Sequence, residues 1–181
     1  MIALVLGGAD CLWDDLDDAR AIAPDHIIVA TNHAGRDLKG RVDHWVSMHA
    51  ELLDHWAAQR TAAGRSPAGR LWSAQHRQGG DPSKISRIAS PGGSSGLLAV
   101  FVALHLACDR VICCGVPMDQ RAGHYDDRRQ WIEARQYFPA WRRALPKMHD
   151  RVRSMSGATA DLLGRPDREW LDGEITRKAS A

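Results

Sequence analysis

Ser90-Pro91-Gly92-Gly93-Ser94-Ser95-Gly96, running into Leu97-Leu98-Ala99-Val100-Phe101-Val102-Ala103-Leu104, decides the fold. A turn of glycine and serine opens directly onto a segment that is apolar on nearly every side. Ile85-Ser86-Arg87-Ile88-Ala89 precedes it as a short strand, and Arg110-Val111-Ile112-Cys113-Cys114-Gly115 follows it as another. The unit is therefore strand, turn, helix, strand, with bare backbone at the helix N-terminus. Free N–H groups and the positive end of the helix dipole suit such a turn to an anion. A phosphate of a nucleotide or activated donor is the ligand expected there.

Outward from this unit the same pattern repeats. Ile2-Ala3-Leu4-Val5-Leu6 is continuously apolar and ends in Gly7-Gly8, as suits a strand buried on both faces. Asp10 is placed to cap a helix from near Leu12, with Leu12, Leu16, Ala19 and Ile22 inward and Asp14, Asp15, Asp17 and Asp18 largely outward. The acidic run reads as a solvated face in preference to a metal site. His26 to Ala30 is a second strand ending at Thr31-Asn32-His33. Gly35 to Gly40 is a loop, Val42 to Met48 a third strand, and Ala50 to Ala63 a helix. Leu71 to Ala74 is a short strand, and 76–84 a flexible loop. Arg128 to about Ala144 reads as a helix with Trp131, Ala134, Phe138 and Trp141 on one face, stopped by Pro146. Val152 to Ser156 and Gly157 to Gly164 are a last strand and a short helix.

Strands alternating with helices give a Rossmann-like, three-layer α/β domain over 1–171 with a mainly parallel sheet. Residues 172–181 are expected to be a frayed polar tail. Ligands in such folds bind beyond the carboxyl ends of the strands. That rule gathers Gly7, Gly8, Asn32, His33, His49, Gly92 to Gly96 and Asp119 on one rim.

The totals narrow the class. Apolar residues make up 44% of the chain, ample for a core, and a net charge of +2 is too small for a nucleic-acid footprint. No apolar run reaches the ~18 residues of a membrane span. Cys11, Cys108, Cys113 and Cys114 show no metal spacing and read as reduced thiols, hence a cytoplasmic protein. The oligomeric state has no signal in the sequence.

The chain has no GxxxxGK[ST] and no GxGxxG after its first strand. Gly92-Gly93-Ser94-Ser95-Gly96 is not a nucleophile elbow, although Ser94 or Ser95 could serve a hydrolase. Ser94 and Ser95 can also simply cap the helix, but two serines and three glycines exceed what a cap requires. His33, His49 and His124 are candidate acid–base groups near neutral pH. His124-Tyr125 lies in a polar loop after Asp119. A metal held by Asp119 with His33 or His49 has no supporting spacing, so no metal is expected.

Several of these stretches resemble a known nucleotide-binding group. Gly7-Gly8-Ala9-Asp10-Cys11-Leu12 is similar to the first turn of the bacterial family 42 sialyltransferases and the 6-hydroxymethylpterin diphosphokinase-like proteins. Residues 24–32, 43–49, 94–96 and 107–119 resemble their later motifs in the same order. The resemblance implies a Rossmann-like fold with a nucleotide across the rim, of CMP type or ATP. By motif match it implies that Asn32, Ser94, Ser95 and Gly96 bind the donor and that Tyr125 holds its phosphate. Thr31-Asn32-His33 lacks the magnesium-binding aspartates of the pterin kinases, which weighs against a diphosphokinase. Gly8 stands where the family has an asparagine, and only one of its tyrosines has a counterpart. The expected function is thus a transferase using a nucleotide-activated donor, glycosyltransferase-like. The alternative is a non-catalytic module that binds a nucleotide or metabolite.

Overall fold

A computed structural model of the chain describes residues 1–119, 122–127 and 129–173. Its centre is a seven-stranded sheet in the order β5-β4-β3-β2-β1-β6-β7. The strands are β1 (Ile2–Leu6), β2 (His26–Thr31), β3 (His44–Ser47), β4 (Arg70–Ala74), β5 (Ile85–Ile88), β6 (Arg110–Cys114) and β7 (Val152–Ser154). Every neighbouring pair is parallel.

The unbroken apolar runs have the cause expected of them. Ala3 and Val5 of β1 pack into one hydrophobic layer, and Leu4 and Leu6 into the other. Alternate side chains leave a strand on opposite faces, so a strand covered on both faces needs apolar residues at each position. One layer is closed by α1 (Leu12–Ile22), α2 (Asn32–Asp37) and α3 (Ala50–Ala62). The other is closed by α4 (Ser95–His105) and α5 (Ala134–Met148). The result is a three-layer α/β fold of Rossmann-like form. Helix α4 lies across β1, β2, β3, β4 and β6, which is why it is buried nearly all round.

The chain steps outward from β1 to β5, then returns through α4 to place β6 against β1 on its other side. The connections after β1 and β6 therefore depart in opposite directions. That divergence is the switch point at which open parallel sheets form a crevice.

Local details depart from the expectations. Gly35 to Gly40 is not all loop, since Gly35 lies within α2. A Cβ there would sit 2.2 Å from Trp45 Nε1, so the glycine serves helix–strand packing. Strand β3 is shorter than 42–48. Asp10 caps no helix; its carboxylate accepts from the Gly123 amide at 3.2 Å. Asp15 does not join the solvated face but is buried at 8% exposure. Helix α5 begins six residues later than expected and contains both Pro139 and Pro146. Burial of Ala140, Trp141, Ala144 and Met148 on one face outweighs the prolines' missing N–H groups. Gly157–Leu163 forms α6, and Asp172 ends a further helix, α7 (Arg168–Asp172), capped by the Asp167 side chain. The rest of the expected tail, from 174 onward, lies outside the described residues.

No helix among the described residues is long and apolar enough to cross a membrane.

Candidate functional site

The crevice at the carboxyl ends of the strands holds a cavity of about 500 Å³. That volume is in the range of small-molecule and cofactor sites. Gly7, Gly8, Asn32, His33, His49, Gly93, Ser94, Ser95, Gly96, His124 and Tyr125 all line it. Gly92 and Asp119, grouped with them from the sequence, are not part of the lining. Gly92 instead completes the turn before α4 at φ +82°, its amide donating to Ser90 Oγ at 3.1 Å.

The floor is backbone. Gly7 N donates to Cys114 O at 2.8 Å, and a Cβ on Gly7 would lie 2.2 Å from Gly115 O. Only glycine permits β1 and β6 to continue side by side into the crevice.

One wall is the N-terminus of α4. Ser94 is the cap, its Oγ accepting from Leu97 N at 3.4 Å. Ser95 Oγ accepts from Met48 N at 3.1 Å. With those lone pairs committed, each hydroxyl still has a proton to donate. The amides of Ser95 and Gly96 open the helix and have no intrahelical acceptor. The hydrogen bonds of the described residues pair neither serine with a histidine or a carboxylate.

Asn32 also presents donors. Ser47 Oγ accepts from His49 N at 2.8 Å and donates to Asn32 Oδ1 at 2.7 Å. The Asn32 carboxamide therefore turns its NH2 away from Ser47. Asn32 stands at φ +41° and Met118 at φ +51°, both non-glycine residues in the left-handed region and both lining the cavity. Such backbone strain is commonly concentrated at binding sites.

The opposite wall comes from the connection between β6 and α5, which folds back over the crevice. Asp10 N donates to Gly123 O at 2.8 Å, and Tyr125 N to Gly8 O at 3.1 Å. This loop contributes Asp126, Arg129 and Trp131, and Tyr137 follows from α5. Trp131 and Tyr137 lie 6.0 Å apart, centroid to centroid. Arg77, from the β4–β5 connection, adds a second guanidinium, and Trp56 of α3 another ring. Main-chain bonds between distant segments bring Asp126, Arg129 and Trp131 to the rim, and no motif marks them.

Tyr125 takes a different place from the one the motif match implies. Its hydroxyl donates to Asp37 Oδ2 at 2.8 Å, and its ring packs edge-on against Trp13 at 5.3 Å. Burial and the bond to Asp37 push the phenol well above its ordinary pKa. Burial opposes ionisation of Asp37. The fork of Arg36 and the Tyr125 hydroxyl outweigh it and hold the carboxyl below its usual value. An ionised Asp37 beside the phenol leaves Tyr125 poorly suited to a phosphate.

The histidines differ in setting. His33 Nδ1 contacts Asp126 Oδ2, and its ring meets Trp56 edge-on at 5.2 Å. His49 Nδ1 lies 3.4 Å from Glu51 Oε1, both side chains being 54% exposed. His124 stands against Trp131 at 6.0 Å between ring centroids. Burial pushes the Cys11 thiol up to about 11, so it is no nucleophile at neutral pH.

Comparison with known proteins finds no matching family model, no matching curated protein and no matching solved structure.

Proposed function

We propose that this cleft binds a nucleotide-activated donor, its phosphate at the N-terminus of α4, and that the protein is a transferase of glycosyltransferase-like type. One observation carries the reading. The donor-rich start of α4, formed by the Ser95 and Gly96 amides and the two serine hydroxyls, opens into the switch-point cavity that Arg77 and Arg129 also line. Amide donors, a helix dipole and guanidinium groups together favour a phosphate. Trp131 and Tyr137 offer faces on which a base can stack. The Asn32 NH2 suits an acceptor on the sugar or base. The order of the motifs that resemble those of the family 42 sialyltransferases supports the same ligand class, with Asn32, Ser94, Ser95 and Gly96 as its contacts. A cytoplasmic location, where such donors are made, accords with the four unpaired cysteines.

Catalysis in this reading is positioning together with stabilisation of charge on the departing phosphate. Isothermal titration with CMP, CTP, ATP and nucleotide sugars tests it. At least one should bind with a dissociation constant at or below the millimolar range. If none does, the reading is wrong.

A further inference from the structure

We infer that His33 and Asp126 form a proton-transfer pair that activates a hydroxyl nucleophile in the cleft. The inference rests on the nucleotide-donor reading and assigns that site its base.

His33 is the second residue of α2, and Asp126 belongs to the loop that folds back from β6. The two meet across the cavity rim, Nδ1 to Oδ2. Side-chain exposure is 39% for His33 and 22% for Asp126, so the pair is half sheltered yet reachable. Trp56 fixes the imidazole from another side, its ring at 86° to the His33 plane. A carboxylate can only accept, so the Nδ1 that faces Asp126 is the nitrogen that carries the proton. Nε2 then keeps its lone pair on a ring that lines the cavity. A base oriented by a third group is the arrangement that proton abstraction requires. Glu51 lies beyond hydrogen-bond optimum from the exposed His49, and the hydrogen bonds of the described residues give His124 no carboxylate. Of the three candidate histidines, His33 has the oriented geometry.

The step balances without a further reagent. Nε2 of His33 takes the proton of R–OH, and the oxygen bonds to the donor's transferred carbon. The bond from that carbon to the phosphate oxygen breaks, and its electron pair leaves with the nucleotide phosphate at α4. The imidazolium beside Asp126 then returns the proton to solvent. R–OH is an alcohol or water, and Asp126 is a positioning residue.

Two measurements test the pair. In two-bond 1H–15N correlation spectra, neutral His33 should carry its proton on Nδ1 and should shift toward the Nε2–H form in Asp126→Ala. Wild-type His33 protonated on Nε2 overturns the pair directly. The second measurement is release of the nucleotide from CMP-N-acetylneuraminate or UDP-glucose, whichever binds, in water alone and with lactose as acceptor. His33→Ala should lower release about 10²-fold, leave affinity for that nucleotide within about threefold of the parent, and recover in part with added imidazole. Release in water alone identifies a hydrolase, and release needing lactose a transferase; both support the pair. Binding without release, or release unchanged in His33→Ala, overturns the pair and spares the binding reading. Absence of nucleotide binding by the parent protein overturns both.

Discussion

Ser95 Oγ accepts the Met48 amide proton at 3.1 Å, so the first residue of α4 is bonded to the residue that follows β3. The bond fixes the helix N-terminus against the strand ends and leaves the serine proton to point elsewhere. Ser95→Ala strands the buried Met48 N–H, at a cost of about 1–3 kcal/mol, and should weaken nucleotide binding about tenfold. Ser94→Ala removes a cap and should cost about 1 kcal/mol. Urea unfolding and calorimetry separate the two effects.

Asp15 joins α1 to the other side of the crevice. Its carboxylate accepts from Gly115 N at 2.8 Å and Ser156 Oγ at 2.7 Å. Asp15→Ala should destabilise by about 1–3 kcal/mol, and Asp15→Asn by less, because both bonds converge on Oδ2 and an amide oxygen in its place can still accept them. The urea midpoint should fall with an unchanged slope.

Arg60 is wholly buried and donates to the carbonyls of Gly35, Leu38, Gly40 and Ser66. It clamps the α2–β3 connection onto α3. Arg60→Met leaves those acceptors unpaired and should cost about 3 kcal/mol or more. Arg60→Lys should recover only part of that, since an ammonium lacks the planar fork. Thermal unfolding of the two variants provides the ranking.

Trp72 Nε1 donates to His44 Nδ1 at 3.1 Å, and burial lowers the His44 pKa from its ordinary 6.5. Arg70 adds to that lowering, and Asp43 opposes it. The folded state binds the proton less readily than the unfolded chain. Stability from this site is therefore full above pH 6.5 and is lost as the pH falls from there through the folded value. His44→Gln keeps an acceptor for Trp72 and cannot titrate, so its stability should change less with pH below that point. Melting curves between neutral and mildly acid pH decide this.

Much of the architecture is legible in the chain because a sheet covered on both faces demands continuous apolar runs, as in Ile2–Leu6 and Val111–Cys114. The glycine-serine turn is legible because few residue types can open a helix into a crevice. The placement of Gly7, Asn32, His49 and Ser94 to Gly96 on one rim follows from the parallel order alone. Asp15 and Arg60 are not legible, since each reads as an ordinary charge on a helix face until a distant backbone group turns out to need it. Asp126, Arg129 and Trp131 are hidden for a related reason. Their loop is positioned by Gly8 and Asp10, more than a hundred residues earlier, through main-chain bonds that leave no periodicity. Pro146 misleads as a helix stop because tertiary burial overrides helix propensity.

In the proposed function the start of α4 recognises phosphate. Its most direct test compares thermal stabilisation by matched pairs, cytidine with CMP and adenosine with ATP, in the parent protein and in Ser95→Ala. Stabilisation by a nucleotide but not by its nucleoside, weakened in Ser95→Ala, is the predicted result. No stabilisation at millimolar nucleotide, or equal stabilisation by nucleoside and nucleotide, contradicts it.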